Sequence, residues 1–482
     1  MSDRTMPRSS WWATPTRSCR PSRQRPWGRS SSTASHCRPR RRRPARSRHT
    51  TSAELAEPPD RRRGRLGVAF PALASPIYRR FLFASMVATL GGFMQATSQG
   101  WLVLELTNSP ALLGLAGSVA GLPTLFLAVV AGVLADRVDR RRLLVLTNLA
   151  GAACAAILAV LTSLALVEYW HVLVLAFLAG LALTVQMPAS QAVVSTIVDR
   201  TSIGNAVALN SAQYNLMRIL APAAAGLFIA AGSLALGFWV NAIALVVVSL
   251  IVASLAIPAP RAADRVQAAL WLDLQDGIRY VASDRALATI VLLPAIPALF
   301  VLNYLTFIPV YARDILATGP IGLGLLTSSI GVGALVGALS TATLRPSGGS
   351  GRMMLSGLAV VGIALATFAL SQSLALSMAA LALLGASQVA YYATTNTLIQ
   401  VLVPARLRGR VLSLYVLTSI GLIPIANVVG GAVAEAVGVP AVLAAGGIVT
   451  FSVVALVAIL EPRVAHLRAA ALSAVAESAE PA

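Results

Sequence analysis

Lysine is absent from this sequence of 482 residues, in which all 38 basic residues are arginine. Without lysine the chain cannot form the phosphate-binding loop G-x-x-x-x-G-K-[ST], whose lysine contacts the phosphates of a bound nucleotide. We therefore expect neither a nucleotide nor any other cofactor. Any pumping that the protein performs would have to draw on an ion or solute gradient.

Cysteine and histidine are also scarce, with three and four residues. Cys19 and Cys37 lie near the N-terminus and Cys154 lies in an apolar segment, so we expect neither a disulfide framework nor a nucleophilic cysteine. The histidines all lie outside the interiors of the apolar segments: His36, His49, His171 and His466. This distribution predicts no metal site and no histidine that carries protons.

Charged residues form only 12% of the chain and hydrophobic residues 57%, with a mean hydropathy of +0.75. This composition excludes an ordinary soluble protein. Apolar runs repeatedly reach the roughly 20 residues that cross a bilayer core. We predict an all-α protein in a lipid bilayer with twelve transmembrane helices. The predicted spans, numbered 1 to 12 in chain order, are 81–105, 111–135, 143–167, 170–195, 205–231, 235–257, 287–312, 320–344, 353–371, 374–402, 409–435 and 438–460.

The net charge of +20 is concentrated in residues 1–66, which carry 18 arginines and 4 acidic residues. This leader is rich in Ser, Pro and Arg and shows no apolar periodicity, so we predict that it is disordered. Its run Arg38–Arg43 could bind RNA or anionic lipid headgroups. Two other interpretations are a solvated tail and upstream sequence included by a misplaced start codon. We expect no nucleic-acid partner for the rest of the chain.

Arginines occur at alternate connections between the predicted spans. They precede span 1 and lie in the 2–3, 4–5, 6–7, 8–9 and 10–11 connections and after span 12, whereas the opposite loops hold only Arg313. By the positive-inside bias, both termini are cytoplasmic, and the protein lies in the cytoplasmic (inner) membrane.

The two halves of the chain repeat each other at an offset of 205 residues. Six glycines of the first half fall on glycines of the second: Gly114 on Gly319, Gly117 on Gly322, Gly132 on Gly337, Gly180 on Gly385, Gly204 on Gly409 and Gly226 on Gly431. Shared glycines predict shared helix packing. We therefore predict two six-helix bundles, 67–257 and 287–462, and a tail at 463–482. Their connector, 258–286, contains an amphipathic surface helix at Trp271–Tyr280.

A charged motif lies between spans 2 and 3. Gly132, Asp136, Arg137, Arg140 and Arg141 match a pattern that resembles the signature loop of the major facilitator superfamily, G-x-x-x-D-R/K-x-G-R-R/K. Asp139 stands where a glycine is expected, and we predict that it adopts the left-handed backbone in its place. The resemblance implies that Asp136 holds the two bundles together by facing the positive end of helix 11. The alternative is an ordinary solvated loop acid.

Arg218 is the only charge that we place well inside a span. A mid-membrane arginine costs at least ~2.5–3.5 kcal/mol, so it predicts either a functional site or a buried structural cation. In the superfamily that the chain resembles, helices 1, 4, 7 and 10 line the transport path, and here those spans are polar. Our candidate cavity residues are Gln95, Gln99, Gln186, Gln213, Asn215, Arg218, Asn303, Tyr304, Gln388, Tyr391, Tyr392 and Asn396. The alternative for each is hydrogen bonding between helices.

Two further features concern motion and coupling. Pro222 and Gly226 form a degenerate version of a G-P-x-x-x-G bend that is associated with exporters, with Ala221 in place of its first glycine. Glu105 is our candidate carrier of a coupling proton, because burial raises the pKa of a carboxyl group.

A closer resemblance covers about residues 70–460. It is carried by Phe70–Leu73, Gly91–Gln95, Trp101–Pro110, Ala135–Arg137 and Asn205–Asn210. These segments are similar to the enterobactin-exporter-like branch, also called transmembrane secretion effectors. The resemblance implies efflux of siderophores, macrolides or other hydrophobic, drug-like compounds. We expect this export to be driven by proton antiport and the protein to be a monomer. Uptake or exchange of a metabolite is the alternative transport function, and a membrane enzyme or a non-transporting scaffold is less favoured.

Overall fold

In the computed structural model, every regular element among the described residues is a helix. The predicted leader 1–66 lies outside the described residues, as does the tail beyond 467. The described parts of the chain are 71–198, 202–255, 270–343 and 349–467.

Twelve long helical segments follow one another through these residues. Eleven are long and apolar enough to cross a membrane. The remaining one, α5, is a continuous helix of 28 residues, but polar side chains such as Arg218 interrupt its apolar sequence. The segments are α1 Pro76–Thr107, α2 Pro110–Arg137, α3 Arg140–Ser163, α4 Tyr169–Ile197, α5 Ile203–Ala230, α6 Ala235–Ser254, α7 Arg285–Ile315, α8 Gly319–Thr343, α9 Ser350–Leu370, α10 Leu374–Leu402, α11 Ala405–Val437 and α12 Val439–Leu460. They confirm the predicted spans.

The predicted span 287–312 lies within α7, but this helix is broken into shorter pieces. Its regular part ends at Leu292, and short helices cover Ala295–Phe300 and Tyr304–Val310 before a π-helical turn. Pro294, Pro297 and Pro309 lie in this segment. Proline lacks a backbone donor and clashes with the preceding turn, which explains the interruptions.

The turn between α11 and α12 is where the sequence predicts it. Gly438 adopts φ +89, a backbone conformation that a side chain disfavours. The next helix starts at Val439 with Pro440 in its first turn. Backbone N–H groups in a first turn have no acceptor within the helix, so the lack of one in proline has no energetic cost there. This residue therefore separates two spans that hydropathy alone would leave continuous.

The glycines of the repeat make equivalent contacts in the two halves. A Cβ on Gly226 of α5 would lie 2.5 Å from the Pro320 carbonyl of α8, and one on Gly431 of α11 would lie 3.0 Å from the Pro110 carbonyl of α2. Within the halves, Gly180 approaches α2 and Gly385 approaches α8 in the same manner. The shared positions thus reflect shared packing, as predicted for two pseudo-symmetric six-helix bundles.

The connector helix covers Leu270–Ala282, which includes the predicted Trp271–Tyr280. It packs against the beginning of α11, where Arg410 donates to Asp276 at 2.7 Å and a Cβ on Gly277 would lie 3.2 Å from the Arg410 Cβ. Both partners are partly exposed, so the pair contributes at most about 1 kcal/mol.

Candidate functional site

The two halves are joined by polar contacts at the face that carries the loop between α1 and α2, here called the loop 1–2 face. The Arg313 guanidinium of α7 donates to the Leu104 carbonyl at 3.0 Å and also to the Asn108 side chain. The Glu435 carboxylate of α11 accepts from Ser109 Oγ at 2.7 Å and from a backbone amide of α2 at 3.1 Å. We call these four side chains, Asn108, Ser109, Arg313 and Glu435, the loop 1–2 clasp.

Contacts between the halves continue from the clasp towards the centre. Ser118 Oγ donates to the Pro424 carbonyl at 2.7 Å, and Ser328 Oγ donates to the Ile219 carbonyl at 2.6 Å. A Cβ on Gly331 of α8 would lie 3.1 Å from the Arg218 backbone. The described hydrogen bonds between the halves all lie on this side of the molecule, away from the loop between α2 and α3. We call the opposite side the loop 2–3 face.

Buried polar atoms without hydrogen-bond partners gather where these contacts end. They include the hydroxyls of Tyr304, Tyr391 and Tyr392 and the Gln388 amide nitrogen. Tyr304 and Tyr391 are 0% exposed and Gln388 is 8% exposed. A buried polar group without a hydrogen-bond partner lowers the stability of the folded protein. In a native protein such a group is therefore expected to bind a ligand or water.

Arg218 approaches this group from the other half. Its guanidinium interacts with the Tyr304 hydroxyl. Tyr304 interacts in turn with Tyr392, whose ring centroid lies 5.1 Å from that of Tyr391. Gln388 lies one helical turn before these two rings on α10. These five side chains, Arg218, Tyr304, Gln388, Tyr391 and Tyr392, form the central polar cluster.

Several other candidate cavity residues bond within their own half. Gln95 accepts from Asn241 at 2.6 Å and Gln186 donates to Asn148 at 3.0 Å. Asn215 donates to a carbonyl of its own helix at 2.9 Å, and the Asn396 side chain accepts from Gln400. These bonds favour helix packing for the four amides. A role in solute binding remains a prediction for them and for Gln99.

Gln213 and Asn303 each keep a buried side-chain oxygen without a partner. Gln213 lies on α5, about 7 Å along the helix from Arg218 towards the loop 2–3 face. Asn303 lies beside Gly430 in a separate apolar groove of about 330 Å³. The structure therefore separates Asn303 from the central polar cluster, although Tyr304 is its neighbour in sequence.

The charged motif forms a capped turn. Asp139 accepts from the backbone amides of Arg141 at 2.9 Å and Arg142 at 3.4 Å, which caps α3. Its φ is −55, so the expected left-handed backbone is wrong: an aspartate at this position caps the next helix without it. Arg141 also donates to the Ala253 carbonyl of α6.

The remaining motif residues are placed less completely. Arg140 begins α3. The backbones of Gly132, Asp136 and Arg137 complete α2, and the side chains of Asp136 and Arg137 lie outside the described part of the structure. The predicted contact between Asp136 and helix 11 thus stays a prediction.

Pro222 and Gly226 are both buried in α5, which runs through them as one helix. Gly226 permits the close approach of α8 at Gly324. Glu105 is exposed at the end of α1, where it accepts from the Trp101 indole nitrogen at 2.5 Å. The bend and the proton-carrying role of these residues remain predictions.

Two six-helix bundles joined at one face, with unpartnered polar groups at their centre, define a secondary transporter of the major facilitator type. A family model, transmembrane secretion effector, matches residues 68–482. The chain belongs to this family.

Comparisons with individual proteins agree with this assignment. The multidrug efflux pump Tap of Mycolicibacterium fortuitum is 26% identical over 395 residues, which cover 80% of this chain and 96% of Tap. The staphyloferrin A transporter of Staphylococcus aureus is 32% identical over 151 residues, 31% of this chain and 38% of that protein. A bacterial homologue of the lysosomal transporter Spinster, solved inward-facing and unoccupied, shares the fold with a TM-score of 0.61 and 14% identity over 81% of this chain and 98% of the homologue. The protein is a multi-pass membrane transporter of the export type.

Proposed function

We propose that this protein exports a siderophore, a macrolide or another drug-like molecule by alternating access. The proposal depends on one observation. The unpartnered polar groups of the central polar cluster lie near the centre of the protein, where the contacts that join the two halves end. A site in this position opens to one side when the clasp is closed and to the other side when the halves rock about it. The names of two relatives, a multidrug efflux pump and a staphyloferrin A transporter, support export of such a molecule.

We propose that the loop 2–3 face is cytoplasmic and that both termini lie on this side. The arginines of the 2–3, 4–5 and 10–11 connections support this orientation. With the clasp closed, the central polar cluster would then open towards the cytoplasm. Impermeant thiol reagents test the assignment: in spheroplasts, a cysteine at Ser163 should react and a cysteine at Ser283 should not. The reverse pattern would overturn it.

We propose further that entering protons drive export by antiport, with Glu105 as the proton carrier. The Trp101 indole nitrogen donates a hydrogen bond to the Glu105 carboxylate, which places this acid against α1 at the loop 1–2 face. Glu105→Gln should abolish the effect of a protonophore on export. Glu168→Gln, at the same face, is the control. Unchanged protonophore sensitivity in Glu105→Gln would remove Glu105 from the mechanism.

The export function is tested by solute accumulation. Cells that lack the protein should retain a set of metabolites and drugs that overproducing cells expel, and Arg218→Ala at equal expression should lower the expulsion at least tenfold, as expected when about 1.4 kcal/mol or more of binding is lost. Higher accumulation in the overproducing cells would instead indicate uptake, the alternative transport function. Equal accumulation in all strains would refute transport of these solutes.

A further inference from the structure

Arg218 has no acidic partner among the described residues. It lies roughly 22 Å from the beginning of α5 and 18 Å from its end, at about 1.5 Å per residue. The described ion pairs join Arg313 to Asp314 and Arg410 to Asp276. The described acidic side chains all lie in loops, in the connector helix or in the last turn of a span: Glu105, Asp139, Glu168, Asp276, Asp284, Asp314, Glu435 and Glu461. None of them lies at the depth of Arg218.

The central polar cluster offers several hydrogen-bond donors. A guanidinium presents five N–H donors and no acceptor, and the unpartnered nitrogen of Gln388 is a further donor. The hydroxyls of Tyr304 and Tyr392 can each donate one proton. A half-buried cation with further donors in its cluster, beside the fully buried Tyr304, is suited to an oxyanion, since hydrogen bonds to a charged acceptor are about twice as strong as neutral ones.

Aromatic surface adjoins the same donors. The Tyr391 and Tyr392 rings meet at 58°, and the buried Tyr304 side chain lies beside them. Such rings favour a flat apolar body next to the charged group of a solute.

We propose that the central polar cluster selects organic anions, in which a carboxylate or similar oxyanion is attached to an aromatic or other apolar body. Arg218 binds the oxyanion, and Tyr304 and Tyr392 donate hydrogen bonds to it. The anion thereby connects α5 of one half with α7 and α10 of the other. This inference rests on the proposed function, because it assigns the substrate class of the same site.

Three probes of one shape and different charge test the inference. 1-Naphthoate is an anion at pH 7.5, 1-naphthalenemethanol is neutral and 1-naphthylmethylamine is a cation. Equilibrium binding to the purified full-length protein in detergent should show naphthoate bound about tenfold more tightly than either of the others, since a paired charge in a desolvated site outweighs a neutral contact.

Variants assign the preference to Arg218. Arg218→Gln should weaken naphthoate binding about tenfold and leave naphthalenemethanol within about twofold. Arg218→Lys should keep part of the preference, because it retains the charge without the planar pair of donors. Arg313→Gln, at the clasp, is the matched control and should keep wild-type selectivity. Thermal unfolding of each variant checks that it folds.

Several outcomes overturn the inference: no naphthoate binding, equal affinity for the three probes, or an equal loss of naphthoate and naphthalenemethanol in folded Arg218→Gln. Cells that expel an anionic solute through Arg218→Gln at the wild-type rate would also refute anion selection and leave export standing. An absence of expulsion for every solute, with naphthoate selectivity intact, would refute export instead.

Discussion

At the scale of single residues, two acidic side chains at the loop 1–2 face have different partners. The Glu435 carboxylate accepts hydrogen bonds from Ser109 and from a backbone amide of the other half. The Glu168 carboxylate instead accepts hydrogen bonds from Trp170 and His171 in the first turn of its own helix. Only the first can depend on how the halves are arranged. The charge of Glu435 therefore stabilises one conformation of the protein, while that of Glu168 stabilises one helix.

Glu435→Gln should weaken the clasp, because hydrogen bonds to a charged group contribute about 1.5–3 kcal/mol. The population with the loop 1–2 face open should rise roughly tenfold. A cysteine at Ser118, in a variant without Cys19, Cys37 and Cys154, should then react about tenfold faster with an impermeant thiol reagent applied from that face.

Glu168→Gln in the same background is the control and should leave the reaction rate at the Ser118 position unchanged. If Glu435→Gln leaves the reaction rate unchanged, the carboxylate contributes nothing to closure of the loop 1–2 face.

Part of the contact between Glu435 and Ser109 could be anticipated from the sequence, because Ser109 before Pro110 is a typical helix start. Its partner in α11 could not, since no local pattern relates two residues that are 326 positions apart.

At the scale of helices, glycines determine how closely α2 and α11 approach. A Cβ on Gly114 would lie 2.3 Å from the Asn427 carbonyl, a distance that forces the backbones apart. Gly92 of α1 has no atom within 4 Å of such a Cβ. The repeat predicts that Gly114 matters, whereas the identity of the opposing helix follows only from the packing.

Gly114→Ala should destabilise the protein by about 1–3 kcal/mol, as overpacking does elsewhere. Its unfolding temperature should fall by several degrees in a thermal shift measurement, and the loop 1–2 face should open more often. Gly92→Ala, the matched variant, should be neutral or slightly stabilising through its helix propensity. Equal unfolding temperatures for the two variants would contradict the close packing at Gly114.

The break in α7 shows why hydropathy is insufficient at this scale. Residues 287–312 are apolar enough to span a membrane, and the proline content predicts some distortion. Which turns open depends on the neighbouring helices, such as α12, where a Cβ on Gly446 would lie 2.1 Å from the Phe300 carbonyl. The position of Tyr304, which follows the break, is therefore determined by tertiary packing.

At the scale of the whole molecule, the charge of the solute affects the energetics of export. Moving one elementary charge across 100 mV changes its free energy by about 2.3 kcal/mol. An organic anion that leaves a cell with a negative interior is therefore driven outward by the potential. An entering proton would add charge movement in the same direction.

In proteoliposomes with equal pH on both sides, a potassium gradient with valinomycin that makes the compartment at the loop 2–3 face negative should accelerate 1-naphthoate movement towards the loop 1–2 face. A potential of about 100 mV should raise the accumulation ratio by a factor of up to about 50, the equivalent of 2.3 kcal/mol. Reversing the gradient should reverse the direction. Movement that ignores the potential would contradict export of a net charge.

The number of spans and the position of Arg218 far from the ends of its span were determined by the sequence alone, and the sequence also predicts the side on which each loop emerges. Each of these properties depends on residues that are close together in the chain, where hydropathy and charge act locally. The tertiary structure decided that Arg218 meets Tyr304 and that Gln95 and Gln186 bond within their own bundle. It also decided which face is closed, because these contacts depend on the register between helices that are far apart in sequence.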